Sequence, residues 1–134
     1  MNILTLIAKP FIGTGIGIKF PVIHAAYKRL QRLTPREVRS VRIPLGMTIR
    51  VVANDNGPGL YLTATGKYEP YETSLFLSRV QKGDIVFDVG AHVGYYTLLG
   101  SKSVGNHGRI CAFEPVLDNQ SLLQQNLTDN SCTN

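Results

Sequence analysis

Residues 82–97 have the sequence KGDIVFDVGAHVGYYT, and this stretch decides the fold class. Within it, residues 85–89 are almost continuously apolar, which is typical of a strand buried on both faces of a parallel sheet. A glycine-bounded turn follows at residues 90–94, and residues 95–104 have the pattern of a helix. A second apolar run occupies residues 109–113. Strand, helix and strand in this order predict a right-handed βαβ unit, and therefore an α/β fold.

The chain before this unit predicts smaller elements. We expect an amphipathic helix at residues 20–33, ended by Thr34-Pro35 because proline cannot continue a helix. Residues 72–80 predict a short helix, closed by Gly83 in the left-handed conformation. Three stretches favour strands, and we expect the second and third to form an antiparallel hairpin across the turn-forming residues between them. These stretches are residues 38–43, 47–53 and 60–64.

The residues after the second apolar run predict one more helix. It carries Leu122, Leu123 and Leu127 at helical spacing, with Asp118 or Asn119 as its N-cap. The sequence given stops about where a third parallel strand would begin. We therefore divide it into an amino-terminal extension, residues 1–65, and the first βαβα part of an incomplete domain, residues 66–134. An uncompleted sheet has an unpaired apolar edge, so we expect the chain to be marginally stable or to associate.

Composition excludes several classes of protein. The 134 residues carry a net charge of +5 and are 43% hydrophobic, which fits a basic globular domain better than a disordered chain. Basic residues are not clustered with aromatic residues, so no nucleic-acid partner is predicted. Cys111 and Cys132 lack metal-ligand spacing, so we predict no metal site and a reducing, cytoplasmic location. We find no apolar stretch long enough to span a membrane, and we favour packing of the first helix on its own domain over contact with a membrane surface.

The turn at residues 90–94 and the end of the second strand predict a cofactor site. Ligands of open α/β sheets bind at the carboxyl ends of the strands. Gly90 permits a sharp turn and close approach of a ligand, Gly94 lets the next helix begin near the strand, and Asp88 can accept backbone hydrogen bonds or face a cationic group. Glu114, at the tip of the second strand, is placed to bind ribose hydroxyls.

S-adenosylmethionine and NAD both contain a ribose, and Asp88 distinguishes between the two cofactors. The dinucleotide pattern GxGxxG places a helix amino terminus against a pyrophosphate. Here only Gly90 and Gly94 are present, and the carboxylate of Asp88 would repel a pyrophosphate. S-adenosylmethionine, with its sulfonium and amino groups, fits better than NAD.

Residues 82–97 together with residues 108–115, GRICAFEP, closely resemble the FkbM family of methyltransferases. Residues 66–70, Leu123 and Asn126 also match that family's pattern, so the resemblance covers about residues 66–128. It implies a Rossmann-like (class I) methyltransferase domain that transfers a methyl group from S-adenosylmethionine to a hydroxyl of a sugar or natural product. The resemblance and the pattern together give the cofactor-binding residues as Asp88, Gly90, Ala91, His92, Gly94 and Glu114.

Position 92 departs from the family, which usually has asparagine there. We expect His92 to change affinity rather than abolish binding. Glu69 and Glu72 are carboxylates within possible reach of the cofactor's amino group, although a solvated role is as well supported. No general base can be named, because His24, His92 and His107 fit structural roles better. A non-catalytic remnant or binding module is the alternative function, and an NAD-dependent dehydrogenase is the third.

Overall fold

The computed structural model describes residues 35–55 and 57–134, together with Val22, Ala25 and Arg29. Apart from these last three residues, which are helical and exposed, the predicted helix at residues 20–33 lies outside the described part. In the part that is described, the protein is a mixed α/β structure with two small sheets. None of the helices there is long and apolar enough to cross a membrane.

Residues 35–55 and 57–134 contain four strands and four α-helices. In chain order they are β1 (Val38–Arg42), β2 (Thr48–Val52), α1 (Pro58–Thr65), α2 (Pro70–Arg79), β3 (Ile85–Val89), α3 (Tyr95–Val104), β4 (Arg109–Phe113) and α4 (Leu117–Asp129). The strands predicted around residues 38–43, 47–53, 85–89 and 109–113 are confirmed. The helix predicted at residues 72–80 is also confirmed, beginning two residues earlier at Pro70.

The hairpin lies one element earlier than predicted. β1 pairs antiparallel with β2, from Val38 opposite Val52 to Arg42 opposite Thr48, and a short 3-10 turn at Pro44–Gly46 joins them. The prediction of a strand at residues 60–64 was wrong, because these residues lie in α1.

The start of α1 explains that error. Pro58 occupies the first turn, where its missing N–H costs nothing. The Asp55 carboxylate accepts hydrogen bonds from the Gly57 and Gly59 amides at 3.0 Å each, which organises the chain for helix entry. The hydroxyl of Thr63 then donates to the Gly59 carbonyl at 2.7 Å. Local capping and turn geometry therefore outweigh the strand propensity of Leu60–Ala64.

The second sheet consists of β3 and β4 in parallel, with Ile85 opposite Arg109 and Val89 opposite Phe113. Helix α3 connects the two strands and packs against both. The predicted strand–helix–strand unit is thus present with parallel pairing.

One face of this sheet is open, which contradicts the prediction that β3 is buried on both faces. The side chains of Ile85, Phe87 and Val89 are 65%, 64% and 82% exposed. Phe113 is also exposed, and its ring stacks against that of Phe87 with a centroid distance of 6.2 Å. The residues between them, Val86 and Asp88, are half-buried on the side of α3. The strand therefore has one covered face and one exposed face.

The main core joins the hairpin to the βα unit. Ile49 and Val51 of β2 and Leu62 of α1 pack in one cluster with Val93 and Leu98. Residues on both sides of position 65 therefore share a core, and the division of the chain at that position stays a prediction.

Helix α4 closes the free edge of β2 through two asparagines. Asn126, which is fully buried, accepts a hydrogen bond from the Arg50 amide at 2.7 Å and donates to the Arg50 carbonyl at 3.0 Å. Asn130, one turn later, makes the same pair with the backbone of Thr48, at 3.0 and 2.7 Å. The two amides thus substitute for a neighbouring strand, and Asp129 adds a salt bridge to Arg50.

The predicted N-cap of α4 was wrong. The helix begins at Leu117, after Val116, and no side chain caps it. Asp118 pairs with Arg36 instead, and the Asn119 amide donates to Glu114 at 3.2 Å. The predicted apolar face is confirmed, since Leu123 is buried while Leu122 and Leu127 pack partly buried against the core.

Candidate cofactor-binding site

The six predicted site residues lie together at the carboxyl ends of β3 and β4. The turn after β3 is held directly to the end of β4, because the amides of Gly90 and Ala91 both donate to the Phe113 carbonyl, at 2.8 and 3.0 Å. Ala91 is buried, and its carbonyl accepts the Gly94 amide at 2.8 Å. Backbone hydrogen bonds alone therefore hold this turn against the end of β4.

Glu114 secures the middle of the same turn. Its Oε2 accepts a hydrogen bond from the His92 amide at 2.9 Å, and its Oε1 accepts from the Val116 amide at 2.9 Å and from Asn119. The hydrogen bond from Val116, with smaller contributions from His92 and Asn119, lowers the pKa of Glu114 below its ordinary value of 4.5. Glu114 is thus an anionic acceptor at neutral pH.

Asp88 is half-buried at the end of β3. Its Oδ2 accepts a hydrogen bond from the Thr97 hydroxyl at 2.6 Å, rather than from a backbone amide of the turn. Thr97 lies in the first turn of α3, so this bond ties the strand to the helix. Within the described residues no protein group donates to Oδ1 of Asp88, which leaves this oxygen available to a ligand.

The two glycines of the turn serve different needs. Gly90 has φ of +83° and no neighbouring atom within 4 Å of the place a Cβ would occupy, so the space beside it is open. Gly94, with φ of +91°, would bring a Cβ within 2.3 Å of Leu123 Cδ1. The close approach observed at Gly94 is therefore to α4, while its positive φ is the main reason for glycine at this position.

His92 connects the turn to the loop before α1. Its backbone is left-handed, with φ of +52°, and its ring lies against Gly57, where a Cβ would be 3.1 Å from Nε2. Nδ1 of His92 is buried and has no hydrogen-bond partner among the described residues. The nearby Asp55 has its pKa raised above 3.8, mainly by burial, while His92 and the amides of the loop act against that rise.

Sequence reasoning missed this loop as part of the site. Residues 54–59 were interpreted only as turn formers, whereas Asp55 and Gly57 form the wall against which His92 packs. The available signal was Pro58, because proline is over-represented at the first position of a helix.

An aromatic cluster borders the first turn of α3. The Tyr95 ring contacts those of Tyr68 and Tyr96 edge to face, each with centroids 5.2 Å apart. Burial, reinforced by Glu69, raises the pKa of Tyr68 to about 12 and shifts the pKa of Tyr96 in the same direction. Thr73 is buried beneath the cluster, and its hydroxyl lies 3.2 Å from that of Tyr95. The hydroxyls of Tyr68 and Tyr96 therefore stay protonated at neutral pH, and that of Tyr96 donates to Glu69 at 2.9 Å.

Other chemical groups lie elsewhere. His107 is exposed in the turn after α3, and His24 lies outside the described residues. Cys111 and Cys132 are free thiols, both half-buried. A shallow groove between β2 and α4, lined by residues including Arg50 and Ser121, is separate from the predicted site.

Comparison of the chain with protein-family models, with curated proteins and with solved structures gives no match in any of the three. The assignment of a function therefore rests on the residues and the geometry described above.

Proposed function

We propose that this chain binds S-adenosylmethionine at the carboxyl ends of β3 and β4 and belongs to a Rossmann-like methyltransferase of the FkbM type. One observation carries the proposal. The acidic residue that would bind the ribose, Glu114, is hydrogen-bonded through the His92 amide to the glycine turn that would bind the rest of the cofactor. The two halves of the predicted site are thus joined directly by a hydrogen bond.

The acceptor capacity of Glu114 fits a ribose. A carboxylate oxygen can accept about two hydrogen bonds. Oε2 accepts one, from His92, and so has room for one hydroxyl without releasing the turn. Oε1 already accepts two, and a second hydroxyl would replace Asn119, the longer of them at 3.2 Å. Such charge-assisted bonds contribute about 1.5–3 kcal/mol each.

The backbone of the turn favours S-adenosylmethionine over NAD. A dinucleotide site offers free amides to a pyrophosphate. Here the amides of Gly90, Ala91 and His92 are already bonded to Phe113 and Glu114. The Asp88 carboxylate beside them would repel phosphate and attract a sulfonium or ammonium group.

When bound, S-adenosylmethionine supplies an activated methyl group, and the chain's task is to hold and orient it. Glu114 would fix the ribose, the open space at Gly90 would admit the cofactor, and Asp88 would face its positive charge. Alignment of donor and acceptor is the main source of rate in such a transfer, with effective molarities of about 10⁵ M or more. We propose a sugar or natural-product hydroxyl as the acceptor.

Calorimetric titration of the full chain with S-adenosylhomocysteine and, separately, with NAD tests this proposal. We expect binding of S-adenosylhomocysteine and none of NAD. Glu114→Gln should weaken the binding about tenfold, because a charged acceptor is replaced by a neutral one. Asp118→Asn is the matched control, since Asp118 is an exposed carboxylate four residues away that pairs with Arg36, and it should leave the affinity unchanged. Binding of NAD alone, or of neither ligand, would refute the proposal.

A further inference from the structure

The outer edge of β3 is unpaired in the part of the chain that the structure describes, where β3 pairs with β4 alone. The Arg109 amide donates to the Asp84 carbonyl at 2.9 Å, and the Gly90 amide donates to the Phe113 carbonyl at 2.8 Å. Because backbone groups alternate in direction along a strand, the even-numbered residues of β3 face β4 and the odd-numbered ones face away from it. The amides and carbonyls of residues 85, 87 and 89 therefore lie along the open edge.

This edge lacks the residues that usually protect a sheet edge from another chain. Natural edge strands carry lysine, arginine or proline, or are covered by another element. Residues 85–89, IVFDV, contain none of these three residue types, and the side chains that accompany the outward backbone groups are exposed. The outer edges of β1 and β4 are also unpaired among the described strands, but β1 carries Arg39 and Arg42, while β4 lies between Arg109 and Pro115. Of these edges, that of β3 is therefore best suited to pairing.

The edge of β3 is complementary to itself. When the β3 strand of a second copy runs antiparallel to the first, with the two Phe87 residues opposite each other, Ile85 of each copy faces Val89 of the other. The outward amides and carbonyls of both strands then all find partners. Asp88 faces Val86, so no like charges stand directly opposite each other.

The charges at the two ends of the sheet favour the same arrangement. Lys82 and Arg109 lie at the amino end, where they outnumber the Asp84 carboxylate, which accepts a backbone amide of the preceding turn. Asp88 and Glu114 lie at the carboxyl end. Antiparallel pairing brings the basic end of one copy beside the acidic end of the other, whereas parallel pairing would bring like charges together.

We propose that a second copy of this chain pairs antiparallel along β3, which gives a two-fold dimer with a continuous four-stranded sheet in the order β4–β3–β3–β4. The exposed apolar faces of the two copies then join on one side of this sheet, with Phe87 at its centre. The dimer is independent of the proposed cofactor, because no ligand takes part in the pairing.

Single cysteines placed along the sheet test the dimer. Directly opposite residues of such a pair have Cα atoms about 5.5 Å apart, which is within the range of a disulfide. We expect Phe87→Cys in the full chain to form a disulfide-linked dimer under mild oxidation. Phe113→Cys is the matched control, because Phe113 is exposed on the same face. Its two copies would lie three strand spacings, about 14 Å, apart and should not cross-link.

A mixing experiment tests the register without changing Phe87. Ile85→Cys and Val89→Cys should cross-link with each other when the two variants are mixed. Either variant alone should cross-link poorly, since its two copies would lie about 14 Å apart along the strands. The unaltered chain, with its native thiols Cys111 and Cys132, gives the background of each reaction.

Sedimentation equilibrium of the unaltered chain should show a monomer–dimer equilibrium. Equal cross-linking of Phe87→Cys and Phe113→Cys would show that the apolar faces associate without this register, and would overturn the proposal. Cross-linking of Ile85→Cys alone as efficient as that of the mixture would contradict it in the same way. A monomeric unaltered chain, with no cross-link above background in any variant, would also overturn the proposal and leave the edge to another occupant, such as residues 1–34 of the same chain.

Discussion

The backbone amide of His92 donates a hydrogen bond to Oε2 of Glu114 at 2.9 Å, so the tip of β4 holds the middle of the turn that follows β3. A ribose-binding carboxylate free in solvent would have to be ordered when a ligand arrives. Here Val116 and Asn119 fix its other oxygen as well. The side chain is therefore oriented in advance, which lowers the entropic cost of binding.

Glu114→Gln should alter the pH dependence of stability. The folded-state pKa of Glu114 lies below the ordinary value of 4.5, so its contribution is complete above that pH and is lost as the pH falls through the lowered pKa. We expect the variant to be less stable by about 1 kcal/mol at neutral pH, since the carboxylate is close to solvent, and equal to the unaltered chain in strong acid. Urea unfolding between neutral and acid pH measures this difference. A difference that grows toward acid pH would contradict the assignment.

Asn126→Ala should be among the most destabilising single changes in α4. It removes three hydrogen bonds, to Arg50 N, Arg50 O and Val93 O, and leaves these backbone groups unpaired next to the core. We expect a loss of about 2–4 kcal/mol in the free energy of unfolding. Gln125→Ala, at the exposed neighbouring position, should change it by about 0.5 kcal/mol or less. Denaturant unfolding of both variants measures these losses. Similar losses would show that the hydrogen bonds of Asn126 contribute little to stability.

Gly94→Ala and Gly66→Ala separate backbone strain from steric conflict. Both glycines are in the left-handed helical region, with φ of +91° and +70°, so either substitution costs about 1–2 kcal/mol. Only at Gly94 would the new Cβ meet another atom, Leu123 Cδ1 at 2.3 Å. Because Leu123 Cδ1 is the end of a side chain that can shift, we expect this contact to add only about 1 kcal/mol there. Equal thermal unfolding midpoints for the two variants would show that Leu123 moves aside without loss of stability.

Val89→Lys should reduce self-association. Val89, with Phe87 and Phe113, forms part of the open apolar face of the β3–β4 sheet, and such faces promote association. We expect the unaltered chain to sediment as a mixture of species and the variant to shift toward the monomer. Leu45→Lys, which changes an exposed apolar residue in the hairpin turn, is the control and should have no such effect. A purely monomeric unaltered chain would contradict this expectation.

Local patterns in the sequence predicted the second half of the fold well. The apolar runs at residues 85–89 and 109–113 and the glycines around α3 gave the bounds of β3, α3 and β4. These elements follow from short-range signals, namely apolar runs bounded by glycine turns.

The helix through residues 60–64 was missed although its signals are local, since Asp55 and Pro58 start it. Features that depend on distant contacts were not predictable. The role of Asn126 depends on Arg50, which is 76 residues away in the chain. His92 contacts Gly57, which lies far away in the chain, before α1. The open face of β3 was missed because an apolar run alone does not tell whether a covering element exists.

We propose that the turn after β3 and the tip of β4 form one binding site for S-adenosylmethionine. Amide NMR spectra of the full chain, recorded during titration with S-adenosylhomocysteine, test it most directly. We predict that the amide signals of Gly90, His92 and Val116 shift together and saturate at one ligand concentration, while Thr48 and Asn130 stay unchanged. Saturating shifts confined to Thr48 and Asn130, or no saturating shift at all, would contradict the claim.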